Sequence, residues 1–191
     1  MSLRQWVLVT HRWLGLSSAA ILALLGATGV VLQWAEDVAV LDAVQRYASA
    51  LHERLALGRF GYWVVVVTTA IAVLIELGGI ALWWKRKTLT VRRGAGWWRL
   101  CYDLHHVIGA VLLPLMVVIA AAGVALAFVP ANDSPQLYRL MARLHKGHFP
   151  FPMNALYSIA SLGFVAQGLT GVLMWWKPDG LQNRRTKYRV E

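Results

Sequence analysis

One cysteine stands among 191 residues. A single thiol, Cys101, excludes an intramolecular disulfide and any iron–sulfur cluster held by cysteines. Acidic residues are scarce too, nine Asp and Glu against nineteen Lys and Arg, and charged residues reach only 15%. A water-soluble domain of this length needs more polar surface than that. No glycine-rich nucleotide-binding motif is present, so any nicotinamide or flavin chemistry would have to come through a partner. What the chain has in abundance is apolar: 58% of residues are hydrophobic and the mean hydropathy is +0.52.

The apolar residues gather into four runs, Trp13–Trp34, Tyr62–Trp84, Val107–Val129 and Ala155–Trp176. Each is long enough to cross a bilayer, which takes about 20 helical residues. Tryptophans mark several run ends, as an aromatic belt at the headgroups requires. The expectation is an all-α integral membrane protein with four transmembrane helices. The first run is too long for a signal-peptide core and lacks a small-residue cleavage site, so it is read as a retained helix.

The net charge of +10 raises nucleic acid as a partner, but its distribution points elsewhere. Thirteen of the nineteen basic residues fall on one side of the four spans, in Arg4–Arg12, the 85–99 loop and the tail from Lys177. The positive-inside rule makes that side cytoplasmic, with both termini on it. The tail then sets orientation and touches anionic lipid, and no nucleic-acid partner is expected.

The chain also resembles itself. His11 and Gly15 in "HRWLGL" match His105 and Gly109 in "HHVIGA", and Gly29 matches Gly123, all at an offset of 94. "LHERL" from Leu51 matches "LHKGH" from Leu144 at 93, and "GIALWWK" from Gly79 matches "GVLMWWK" from Gly171 at 92. The reading is one membrane domain over 1–191, built as two tandem parallel repeats at about 1–90 and 95–180, with a basic cytoplasmic tail at 177–191. Each repeat carries an extra-cytoplasmic amphipathic helix expected in the outer interface. In "SPQLYRLMARLHKG", Ser134 suits the N-cap, Pro135 the first turn and Gly147 the stop. The first copy, "VLDAVQRYASALHERLALG", is expected to end at Gly58.

Four of the six histidines occupy matched positions, His11 with His105 and His52 with His145. One interfacial histidine alone would be read as a hydrogen-bonded or snorkelling side chain. Two matched pairs invite another reading, because equivalent residues in a two-fold bundle face each other across the axis. A flat cofactor on that axis receives one imidazole from each copy, which is bis-histidine haem ligation. Zinc would want three or four converging ligands. Small residues nearby, Gly15, Gly26, Gly29, Ala110 and Gly123, could give a macrocycle room or equally serve close helix packing.

The expectation is two non-covalent b haems, since no C-x-x-C-H attachment motif exists. His11 and His105 would hold the iron near the cytoplasmic side, and His52 and His145 the other. A straight continuation from His52 to Trp83 would span about 45 Å. That exceeds a hydrocarbon core of about 30 Å. The breaks at Gly58 and at Gly147–Pro152 are expected to fold the short helices over the bundle, and without that the two-haem reading fails. His106, one residue off the matched position, is a weaker ligand candidate and suits an assisting contact. His148, near His145 but unmatched, is weaker too. Glu76 lies within a span, where an acid is costly and often functional, or else is neutralised or hydrogen-bonded. Gln33 and Gln167 are read as hydrogen-bonding residues.

At "HRWLGL", "LHERLALGRFGYW", "DLHHVIGAVLLPL", "LHKGHF" and "GLTGVLMWWK" the chain resembles the PepSY-associated transmembrane family, also called iron-regulated membrane proteins. The resemblance implies a bacterial inner-membrane ferric-siderophore reductase with two b haems ligated by His11, His52, His105 and His145. Larger members insert a periplasmic PepSY domain between the first two spans, whereas only about residues 35–60 stand there in this chain. A minimal reductase and an electron-transfer subunit serving a separate partner both remain open. The leading expectation is that electrons pass from the cytoplasmic or quinol side to a periplasmic acceptor. The competing reading is a non-redox accessory or permease-like subunit of metal–siderophore uptake, which a visible absorption spectrum separates from the first.

Overall fold

The protein is described from a computed structural model covering residues 1–35, 42–84, 89–92, 94, 96–147 and 149–176. His148, Lys85, Lys177 and the basic tail fall outside the described residues. Six helices follow in order: α1 (Leu3–Ala35), α2 (Asp42–Arg54), α3 (Gly58–Trp83), α4 (Trp97–Leu126), α5 (Pro135–Lys146) and α6 (Met153–Trp176). Among the described residues the pattern is long, short, long, stated twice. α1, α3, α4 and α6 each have the length and apolarity to cross a membrane. Only 22–28% of each apolar window is buried within the protein, so most of that surface needs lipid around it. Trp84 and Trp176 at the span ends stay 61% and 73% exposed, where anchors belong.

All four long helices begin before their apolar runs, two of them well before. α1 starts ten residues before Trp13 and α4 ten before Val107. Hydrophobicity marks the part of a helix that lipid covers, while backbone hydrogen bonding carries the helix on into polar surroundings.

The four long helices form a ring. α1 packs against α3 and α6, and α4 packs against the same two, so α1 and α4 stand diagonally opposite. α1 lies closest along α6. A Cβ at Gly26 would run into the Ser161 carbonyl and come within 3.1 Å of Phe164, and one at Gly168 would come within 3.0 Å of the Ala19 carbonyl. Gly26 therefore serves helix packing, and Gly15 meets no atom within 4 Å. The Trp34 indole donates to the Ser158 hydroxyl at 2.8 Å, and the Gln33 amide donates to the Gly147 carbonyl at 3.1 Å. A cluster of Met116, Ile119, Tyr157 and Ala160 fills the seam between α4 and α6.

The short helices fold back onto the long ones, α2 against α1 and α3, and α5 against α4. Gly147 closes α5 in the left-handed conformation at φ 66°. Ser134 holds the N-cap position, but its side chain makes no capping bond. α2 departs from expectation. It ends at Arg54, and Gly58 opens α3 instead of closing α2. The reversal is made by Leu55 and Ala56, both left-handed at φ 50° and 56°. Such conformations cost non-glycine residues on the order of 1–3 kcal/mol each and persist where the surroundings force them. Gly61 is part of the cause, because a Cβ there would overlap the Arg54 carbonyl.

Candidate functional site

The four matched histidines come together in two pairs. His11 on α1 faces His105 on α4 with ring centroids 6.4 Å apart and planes at 88°. His52 on α2 faces His145 on α5 at 5.8 Å and 50°. Because α2 and α5 fold back, the second pair sits beside Thr28, Gly29, Ile119 and Gly123 rather than beyond the helix ends. From His11 to Gly29 along α1 is about 27 Å at the helical rise of about 1.5 Å per residue. Both pairs thus bridge the α1–α4 diagonal, one near each end.

Every ring in the set is anchored through the same nitrogen. His11 Nδ1 lies 2.9 Å from the Ile75 carbonyl, and His145 Nδ1 lies 2.9 Å from the Ile119 carbonyl. A carbonyl can only accept, so both rings donate from Nδ1. His52 Nδ1 lies 3.0 Å from the Thr28 hydroxyl, and His105 Nδ1 lies 2.9 Å from the Thr170 hydroxyl. Those hydroxyls already donate to the Leu24 and Ala166 carbonyls at 2.8 and 2.6 Å, so they too accept from the imidazole. All four rings carry their proton on Nδ1 and leave the Nε2 lone pair open, which is the state of a ligating histidine. Burial, with His145 close by, pushes His52 down to about 4, and burial lowers His145 as well. At neutral pH the His52–His145 pair is uncharged.

A glycine backs each ring. Positions for a Cβ at Gly79, Gly29 and Gly171 lie 3.5 Å from Cε1 of His11, His52 and His105 respectively. At Gly123 the same point lies only 2.8 Å from His145 Cε1. The outer pair opens into a cavity of about 400 Å³ between the helices. Its walls come in pairs at the 94-residue offset, Leu25 with Ile119, Gly26 with Ala120, Gly29 with Gly123 and Leu32 with Leu126. The mouth is charged and phenolic, with Glu53, Arg54, Lys146, Tyr62 and Tyr138.

The other candidates fall elsewhere. The His106 ring lies 4.3 Å from the Tyr102 ring, over which the Arg99 guanidinium sits at 5.1 Å. Arg99 in turn pairs with the buried Asp103 at 3.0 Å. Gln167 donates to the His105 carbonyl at 2.8 Å, a hydrogen-bonding role as expected, and it braces the helix that carries this ring. Glu76 is 8% exposed, and neither of its oxygens has a hydrogen-bond partner among the described residues. Nothing in the sequence distinguished Ile75, Ile119, Thr28 and Thr170, since two of them act through backbone carbonyls.

A family model described as the PepSY-associated TM region matches residues 40–135. The chain belongs to that family. The matched part of this PepSY-associated protein holds His52 and His105, while His11 and His145 lie outside it. No curated protein and no solved structure matches the chain. Among the described residues no group of three or more His, Cys, Asp or Glu is placed to hold a metal ion. Among the described residues of this PepSY-associated protein, His11 faces His105 and His52 faces His145 across the bundle, and the His106 ring also lies 6.3 Å from that of its neighbour His105. Two trans imidazoles bound at about 2 Å, the length usual for metal–imidazole bonds, put their ring centroids roughly 6 Å apart. Separations of 6.4 and 5.8 Å fit that spacing.

Proposed function

We propose that this PepSY-associated membrane protein binds two b haems and passes electrons across a bacterial inner membrane. The acceptor is periplasmic, such as a ferric siderophore, and the donor is cytoplasmic or a quinol. The observation that carries the reading is the common state of the four histidines: paired, anchored at Nδ1 and open at Nε2. Haem b bound between such a pair supplies reversible one-electron chemistry at its iron. The residues divide the remaining work. Ile75, Thr28, Thr170 and Ile119 fix the rings and their tautomer. The four glycines seat the rings, and the paired apolar walls keep water from the outer site. By offering an imidazole from each side, each pair leaves no position for a further ligand, which suits electron transfer rather than substrate activation.

The two sites are read as products of a tandem duplication. His52 also faces the Leu25 carbonyl, and Leu25 matches the Ile119 that anchors His145. Ile75, which anchors His11, likewise matches Gln167, whose carbonyl faces His105.

The purified protein is expected to give two haems per chain in a pyridine haemochrome assay, with a low-spin spectrum. A value of zero removes the redox reading and leaves the accessory-subunit alternative. Orientation has its own test, because both termini are proposed to be cytoplasmic. With Cys101 replaced by Ala, a cysteine at Asp133 should react with an impermeant thiol reagent in spheroplasts, and one at Thr90 should not. The opposite pattern would make the His11–His105 pair the outward-facing one.

A further inference from the structure

The outer cavity is paired in its walls but not in its depth. Val65 and Val66 of α3 line it, whereas their counterparts Tyr157 and Ser158 do not, and Tyr157 belongs to the packed α4–α6 cluster. Ala72 of α3 faces the cavity opposite the larger Phe164 of α6. The sequence supplies a cause. Gly26 and Gly168 let α6 close on α1, whereas their counterparts in the other seam are Ala120 and Glu76. Among the described residues, α6 reaches the cavity through Ser161 and Phe164, whereas α3 lines it with Tyr62, Val65, Val66, Thr69 and Ala72.

The rim is lopsided in the same direction. Arg54 stands on the α2–α3 reversal where the second unit has Gly147, which has no side chain. The left-handed pair Leu55–Ala56 and the close approach of Gly61 to the Arg54 carbonyl fix that reversal above the first turns of α3, where Tyr62 also reaches the cavity. Backbone strain concentrated beside a cavity mouth is a mark of function. A guanidinium and a phenol at the wet end of an apolar cleft recognise carboxylates.

We infer that the cofactor held between His52 and His145 turns its carboxylate edge to the α2–α3 side of the cavity, where Arg54 and Tyr62 bond it. The inference rests on the haem reading and adds to it the point where the outer site meets the aqueous phase.

The test is a potentiometric titration of the purified protein, followed by visible absorption, with resonance Raman spectra of the carboxylate bending modes. Arg54→Gln should keep two haems per chain and lower one midpoint potential, because the lost cation favoured the reduced form. The wave that moves should be the one absent from His52→Ala. Tyr62→Phe should alter the carboxylate modes, and Arg54→Lys should restore most of the midpoint. Lys146→Gln also removes a cation from the cavity lining, so it should move that midpoint in the same direction but less than Arg54→Gln does. An unmoved midpoint in Arg54→Gln, or an equal or larger shift in Lys146→Gln, overturns the inference while the two haems stand. A wild-type protein without haem overturns the haem reading itself.

Discussion

Replacing His145 by Ala should take the protein from two haems per chain to one. The expectation follows from how the pair is built. His52 and His145 face each other at 5.8 Å, so on the haem reading each supplies half of one site. His52→Ala should therefore give the same loss, and the double variant should lose no more than either single one, the non-additivity of two residues acting as a unit. His11→Ala and His105→Ala should remove the other haem and spare this one. About 27 Å of helix separates the two levels, so neither loss should disturb the other site. His106→Ala should keep both haems, since that ring lies against Tyr102 while His105 is the one facing His11. Haem content by pyridine haemochrome, with size-exclusion profiles to confirm folding, reads all six variants. Loss of haem in His106→Ala with retention in His105→Ala would move the ligand by one residue along α4.

Much of this arrangement could be read from residue spacing, and the part that could not has a physical reason. The spans were legible because lipid demands long apolar runs. The histidine pairs were legible because equal offsets place equal residues in equivalent positions. The fold-back of α2 followed from length alone, since a straight path from His52 would have overshot the bilayer. Its mechanism did not: Leu55 and Ala56 carry no sequence mark of a left-handed turn, and Gly58 looked like the stop. The acceptors at Nδ1 were hidden for two different reasons. Ile75 and Ile119 act through carbonyls, which every residue has. Thr28 and Thr170 act through hydroxyls, but their counterparts are Ala122 and Gly78, so comparison of the two halves passes over them. The diagonal placement of α1 and α4 is a property of packing order, which no local pattern records. Glu76 was conspicuous as an acid in a span, and the described residues offer it no hydrogen bond from a neighbouring helix.

A methyl group should discriminate between the two glycines that back the outer pair. Gly29 and Gly123 occupy equivalent positions, and residue type alone would rank their substitution equally. The geometry does not. A Cβ at Gly29 would stand 3.5 Å from His52 Cε1, an ordinary contact. At Gly123 it would stand 2.8 Å from His145 Cε1 and 2.9 Å from Nδ1. To regain a normal carbon–carbon distance the His145 ring must retreat by roughly 0.7 Å. Ligand constellations tolerate displacements of only about 0.5 Å. Retreat also stretches the 2.9 Å bond to the Ile119 carbonyl, which accepts the ring's only proton at neutral pH. Gly123→Ala should therefore lose the outer haem, or hold it weakly enough to shed it during purification, while Gly29→Ala keeps two haems per chain. Both substitutions lie within helices, where Ala is favoured over Gly by up to about 1 kcal/mol. Unfolding is thus not the expected source of any loss, and equal thermal stability of the two variants in detergent would exclude it. Two haems in Gly123→Ala, with an unchanged spectrum, would show that His145 does not hold iron from the position α5 gives it.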